Sequence, residues 1–196
     1  PDTNPVAIGG AGRLREAGLA VRMDTGGNLF GRLEGRDPAA GTILIGSPSD
    51  TGSSGGRFHG AAGALAPPAR KNRPASPGRA ITSGSCSERG VALRHGIEVV
   101  DFLAEEPSEY GLSCIGSRTM AGLMTPAMLD YREPGGERLG DAMTRVGADT
   151  ARLDEARRAD IAAFFELHIE QGIVLESQGI DLGIVTAIAG IARAEI

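Results

Sequence analysis

Apolar and polar residues alternate over Ala20–Met23 and again over Leu29–Leu33. The glycine-rich segment "TGGN" lies between them, so the pattern predicts two strands joined by a turn. "GRDPAAG" predicts a second turn, and "TILIG" a third strand, continuous enough to be buried on both faces. "IEVVDFLAEE", residues 97–106, reads as another buried strand that ends in two carboxylates. "IAAFFELHIEQG" stays apolar up to His168 and then reaches a glycine, "IVLESQG" predicts a short helix stopped by Gly179, and "LGIVTAIAGIA", residues 182–192, is a final β-rich run. Strands interleaved with helical stretches predict an α/β domain.

One stretch breaks this pattern. Residues 67–87, "PPARKNRPASPGRAITSGSCS", contain four prolines and three arginines, with no apolar periodicity. A crossover between parallel strands is expected here to be a helix of about a dozen residues or more, which four prolines forbid. Two readings stand: a long surface insertion, or a segment translated out of frame. GC-rich DNA read in the wrong frame tends to yield Pro, Arg, Ser, Gly and Ala, and the chain has the matching bias: 30 glycines, and Lys71 as the one lysine among 20 basic residues.

Composition narrows the function classes. With 196 residues and 41% hydrophobic content the chain can bury a core. Aromatics are 4%, Trp is absent and the net charge is −5, which argues against nucleic acid as a partner. No apolar run approaches the about 20 residues of a membrane span. The opening residues, "PDTNPVAIGG", lack a charged start followed by an apolar stretch, so no signal peptide is expected. Cys86 and Cys114 have no C-x-x-C spacing and fit a reducing cytoplasm.

The candidate chemistry is carboxylate and imidazole. Glu105 and Glu106 close an apolar strand, where one carboxylate can bind a metal while its neighbour serves as general base; two solvated glutamates is the plain alternative. Glu166, His168 and Glu170 alternate and share one face if the strand continues. A neutral imidazole such as His168 is a usual zinc ligand, though a lone histidine beside an apolar strand is often a satisfied core residue. Gln171 is suited to meeting a substrate amide or to capping the next helix. His95 reads as exposed, and Cys114 as a small core residue. The loop "GSPSDTGSSGGRFHG" follows "TILIG" and has the setting of a metal site, yet it offers Pro48 and a single histidine, His59.

Taken in order, "AGLAVRMDTGGNLFGRLEGRDP", "GSPSDTGSSGGRFHGA", "IEVVDFLAEEPSEYGLSCIGSRTMAG" and "FFELHIEQGIVLESQGIDLGIVTAIAGI" resemble the amidohydrolases that include N-carbamoyl-L-amino-acid hydrolase, allantoate amidohydrolase and β-ureidopropionase. The blocks are specific together and weak singly. The resemblance implies a mixed sheet flanked by helices in a zinc-peptidase-like catalytic domain. Residues 1–180 would supply its N-terminal part, and residues 181–196 the start of a lid domain that also pairs protomers into a homodimer. It implies hydrolysis of a linear amide or ureido C–N bond in a small substrate by two divalent cations (zinc, manganese or cobalt). Glu105 would be the general base, Glu106 and His168 metal ligands, Asp50 a carboxylate orienting a ligand histidine, and Gln171 a substrate contact.

Against that family pattern, Pro48 stands where the first histidine ligand is expected and His59 where the bridging aspartate is expected. Proline binds no metal, and one neutral imidazole has one lone pair for a metal, so it cannot bridge two. The resemblance therefore implies an impaired site that keeps one metal at most, through His59 with Glu106 or His168. A pseudo-enzyme or binding module, and the non-functional product of a decayed gene, are the alternative readings.

Overall fold

A computed structural model describes residues 5–46, 50 and 93–188. Pro48, His59, Cys86 and the stretch 67–87 lie outside the described residues. The hairpin expected around "TGGN" forms: β1 (Ala20–Met23) pairs antiparallel with β2 (Leu29–Leu33). Its turn is closed by Asp24, whose backbone N–H donates to Asn28 O at 3.0 Å, and Gly27 supplies the left-handed φ of 85° that the turn requires. The helix α1 (Pro5–Glu16) precedes the hairpin and packs on it. It approaches closely because Gly31 has no side chain: a Cβ there would stand 2.9 Å from Leu14 and 3.0 Å from Leu19.

Two further strands, β3 (Thr42–Gly46) and β4 (Gly96–Asp101), and a fifth, β5 (Ile161–Phe165), complete one sheet of order β1-β2-β4-β3-β5. β2 meets β4 antiparallel, whereas β3 lies parallel to both β4 and β5. The sheet is thus mixed, as the resemblance implied. Its three parallel strands deliver their C-terminal ends to one edge, where open α/β sheets collect ligands. Among the described residues, short helices α2 (Ile115–Met120), α3 (Leu139–Arg145) and α4 (Val174–Gln178) follow the central strands, with 3-10 turns at Pro38–Ala40, Pro126–Asp130 and Leu153–Ala156.

"TILIG" is not buried on both faces. Thr42, Leu44 and Gly46 are buried while Ile43 and Ile45 are half-buried, and β4 alternates in the same way. The better-covered face holds Phe30, Leu44, Val100 and Phe102, with Met120 and Ile161 packed against them. Each such burial contributes about 1.5–3 kcal/mol. Gly46 ends β3 because a Cβ there would meet Val100 at 2.7 Å and the Phe102 ring at 2.9 Å. A second cluster, Ile115, Leu139, Met143 and Ala148, joins α2 to α3.

Two predicted strands stop early. β4 ends at Asp101, so Glu105 and Glu106 sit on the turn beyond it, and β5 ends at Phe165, before Glu166 and His168. No strand forms over residues 182–188 of the β-rich run, where Leu182, Ile184, Val185 and Ile188 are exposed; 189–192 lie outside the described residues. His95 is half-buried rather than exposed, with its Nδ1 enclosed and lacking a hydrogen-bond partner among the described residues. Among the described residues no helix is long and apolar enough to cross a membrane.

The same buried face carries a charge. Glu98, in the middle of β4, is 1% exposed. Its carboxylate accepts from Arg22 at 3.1 Å and from Arg158 at 2.6 Å, with Arg32 at 3.6 Å. The Arg22 guanidinium lies 4.0 Å from the centroid of the Phe30 ring, an arrangement suited to a planar cation. Arg158 also donates to Asp160 at 2.6 and 2.7 Å, and Thr42 Oγ1 donates to Asp160 at 2.8 Å. Removing one partner of a buried pair costs about 3–5 kcal/mol. Glu98→Ala is therefore expected to lower unfolding free energy by about that amount in urea titrations, and Glu98→Gln by less.

The Arg158 guanidinium holds the Asp160 carboxyl well below the usual carboxylate range; partial burial opposes this and the Thr42 hydroxyl reinforces it. The folded chain therefore binds this proton less readily than the unfolded chain. The stability this confers is present above the ordinary carboxylate value and is lost as pH falls through that range towards the lowered one. Urea unfolding should show lower stability at about pH 3 than at about pH 6, and Asp160→Asn should flatten part of that dependence, modestly because the carboxylate keeps solvent contact.

Candidate active site

The turn after β4 is tied down residue by residue. Gly116 N–H donates to Leu103 O at 2.8 Å, Ile115 N–H to Ala104 O at 3.1 Å and Cys114 N–H to Glu105 O at 2.8 Å. The first amides of α2 are thus spent on the segment that carries Glu105. Ala104 and Cys114 take left-handed φ values of 45° and 58°, unusual for residues with a Cβ. Such strain persists where surrounding bonds over-determine the backbone.

Asn28, 0% exposed, completes the clamp from the hairpin side. Its Nδ2 donates to Asp24 Oδ2 at 2.9 Å and to Gly116 O at 3.1 Å, and its Oδ1 accepts from Leu103 N–H at 3.1 Å. Burial pushes the Asp24 carboxyl up, and hydrogen bonds from the Asn28 side chain and backbone pull it back. Neither Asn28 nor Ser117 figured among the sequence candidates. "MDTGGN" reads as a turn, and only its tertiary contacts link it to a residue 75 positions or more away. Ser117 Oγ donates to the Glu105 carboxylate, standing 2.9 Å from each oxygen.

Asp50 meets the other glutamate of the pair: Glu106 N–H donates to Asp50 Oδ2 at 3.1 Å. The second oxygen, Oδ1, is buried with no hydrogen-bond partner among the described residues. A buried acceptor without a donor is costly, and its geometry suits an N–H donor that the described residues do not supply.

From the β5 side come Glu166 and His168. Burial pushes the Glu166 carboxyl up, His168 pulls it down and Glu105 pushes it further up. The ends of β4 and β5 are therefore within electrostatic reach of each other. His168 is exposed, and its Nδ1 lies 2.6 Å from Ile169 O. A carbonyl only accepts, so Nδ1–H is the donor in this contact. Glu166, His168 and Glu170 do not share a strand face, because β5 has ended. Glu170 instead caps α4, accepting from Val174 and Leu175 N–H at 2.8 and 3.0 Å. That is the capping task weighed for Gln171, which occupies a left-handed turn position at φ 55°. Burial raises the Cys114 thiol and the neighbouring Glu105 carboxylate raises it further, so this cysteine is no activated nucleophile.

Among the described residues no three of His, Cys, Asp and Glu converge on a point able to hold a metal ion. His59, the remaining expected ligand, lies outside the described residues. Pro48 contributes no donor, and Asp50 Oδ1 is left buried and unmatched. Among the described residues the donor set does not make a two-metal centre.

Comparison with known proteins identifies relatives. Over 183 residues the chain is 43% identical to N-carbamoyl-L-amino acid amidohydrolase of Geobacillus stearothermophilus, covering 92% of this chain and 42% of that protein. It is 38% identical over 179 residues to allantoate amidohydrolase of Bacillus subtilis, covering 90% and 40%. The fold matches a crystal structure of a hydantoinase/carbamoylase family amidase from Burkholderia ambifaria with a TM-score of 0.69 at 31% identity, covering 88% of this chain and 39% of that one. No family model matches the chain. The resemblance read from the sequence is borne out: the chain is related to the hydantoinase/carbamoylase amidases, and it spans about two fifths of the length of the relatives it matches.

Gly116 is the tightest point of the clamp, since a Cβ there would lie 2.0 Å from Asn28 Oδ1 and 2.5 Å from Leu103 N. Gly116→Ala is expected to cost about 1–3 kcal/mol or more through forced displacement of these groups. Chemical denaturation checks the loss, and amide exchange at Leu103 should rise with it.

Proposed function

We propose that the chain carries part of the active site of a metal-dependent hydrolase of linear amide or ureido C–N bonds, of the N-carbamoyl amino acid or allantoate type, with its own metal centre impaired. Relatives named for these reactions support the substrate class. The single observation that carries the impairment is Asp50: its Oδ1 is buried without a donor among the described residues, beside a turn bearing two glutamates, in a chain with proline two residues earlier. Histidine has an N–H to donate and proline has none.

In this reading Glu105 takes the proton of an attacking water at its carboxylate. Glu106 and His168 are the remaining ligands with His59, for zinc, manganese or cobalt, and Gln171 contacts the substrate amide. Carboxylate and imidazole donors suit any of these cations. The substrate is a small molecule in the cytoplasm, with no nucleic acid or membrane partner, and protomers pair through a lid domain as a homodimer. The orphaned Asp50 oxygen also favours a second reading, in which the chain is a binding module or pseudo-enzyme without turnover.

Calorimetric titration with Mn²⁺, Zn²⁺ and Co²⁺, paired with assays on N-carbamoyl amino acids and allantoate, tests this. The chain is expected to take up fewer than two equivalents and to show no turnover. The double variant Pro48→His with His59→Asp should gain one equivalent. Two equivalents with turnover in the unaltered chain would overturn the impairment, and no binding by either protein would overturn the metallo-hydrolase reading.

A further inference from the structure

We propose that Ser117 is a positioning residue for Glu105: its hydroxyl, seated between the two carboxylate oxygens, fixes the orientation in which that carboxylate accepts a proton. The proposal rests on the reading of Glu105 as the proton acceptor, and it adds a residue that the sequence did not single out.

The geometry separates two tasks. The backbone under Glu105 is already held, by the three amides of Cys114, Ile115 and Gly116 and, two residues upstream, by Asn28 Oδ1 on Leu103 N–H. Those bonds fix where the Glu105 Cα stands but leave its side-chain torsions open. A glutamate has three such torsions, and side-chain ordering of this kind costs up to about 2 kcal/mol. Among the described residues Ser117 holds the far end, with 2.9 Å to Oε1 and 2.9 Å to Oε2, and the Cys114 thiol lies beside it.

Its alternative partner is poorer. Ser117 Oγ lies 3.4 Å from Cys114 O, the ordinary back-bond of a serine within a helix. The shorter, charge-assisted bond to the carboxylate wins over that longer one. A hydroxyl has a single proton, so it occupies one of about four lone-pair sites on the carboxylate and leaves the others for water. Ser117 is itself placed through Gly116, whose carbonyl accepts from Asn28 and whose missing Cβ lets the chain pass at that point. The "GGN" of the hairpin and the "GSR" of α2 therefore belong to one device: the first sets the frame, and the second sets the carboxylate within it.

The test uses the full chain labelled with ¹³C-carboxyl glutamate. The Glu105 side-chain resonance is assigned by its loss in Glu105→Gln. Ser117→Ala is expected to move that resonance while leaving the melting temperature within about 2 °C, and Ser117→Thr, which keeps the hydroxyl, should restore it. An unmoved resonance in Ser117→Ala overturns the proposal. So does a moved resonance that Ser117→Thr fails to restore, since that marks a merely structural role. In the Pro48→His, His59→Asp background, adding Ser117→Ala should lower kcat about tenfold or more with KM little changed. If that background shows no turnover, the resonance alone decides whether Ser117 orients Glu105, and the metal titration separately decides the proposed function.

Discussion

The amide of Asn28 is the point at which three separate segments meet: the β1–β2 turn, the end of β4 and the start of α2. It has no contact with solvent, and its oxygen and nitrogen are both engaged. An amide can do this because it donates and accepts within one rigid plane. An aspartate would confront Asp24 with a second charge, and an apolar residue would leave Leu103 N–H and Gly116 O without these partners. Buried polar groups of this kind are worth keeping only when every member is satisfied. Here the reward is geometric: a left-handed turn at Ala104 that no propensity would choose is held in place, and Glu105 with it.

The parallel register of β3, β4 and β5 does the remaining assembly. It brings the ends of three strands, far apart in the chain, to one edge. Asp50, Glu106, Glu105, Glu166 and His168 all come from the segments that leave that edge. What results, among the described residues, is a rim of carboxylates with one imidazole, none of which converge three at a time on a point able to hold a metal ion. Among the described residues one carboxylate oxygen of Asp50 is buried without a hydrogen-bond partner. Relatedness over nine tenths of the chain accords with the shared scaffold.

Much of the sheet was legible from residue patterning. Ala20–Met23, Leu29–Leu33 and Thr42–Gly46 stand where alternation and glycine placed them, and Gly179 ends α4 in a left-handed cap. The pattern misjudged strand ends, because apolarity continues past the last ladder bond: Phe102 and Leu103 are core residues of a turn, and Leu167 and Ile169 are exposed after β5. Glu98 lay within an apolar run, and its three arginines are scattered over β1, β2 and the segment before β5, so no local window shows that they converge. Glu105, Glu106 and His168 could be nominated from residue type and neighbourhood. Ser117 and Asn28 could not, since their importance is a matter of which distant backbone they touch.

The hairpin that bears Asn28 is also the outermost pair of the sheet on its side, with β1 bonded to one neighbour alone. Edge elements open at lower free energy than central strands. Thermal fraying that begins at β1 is therefore transmitted through one amide to a carboxylate on the far side of the sequence. The geometry around Glu105 should soften on warming before the central strands give way, so that the rim of this fold has a working temperature lower than its melting point.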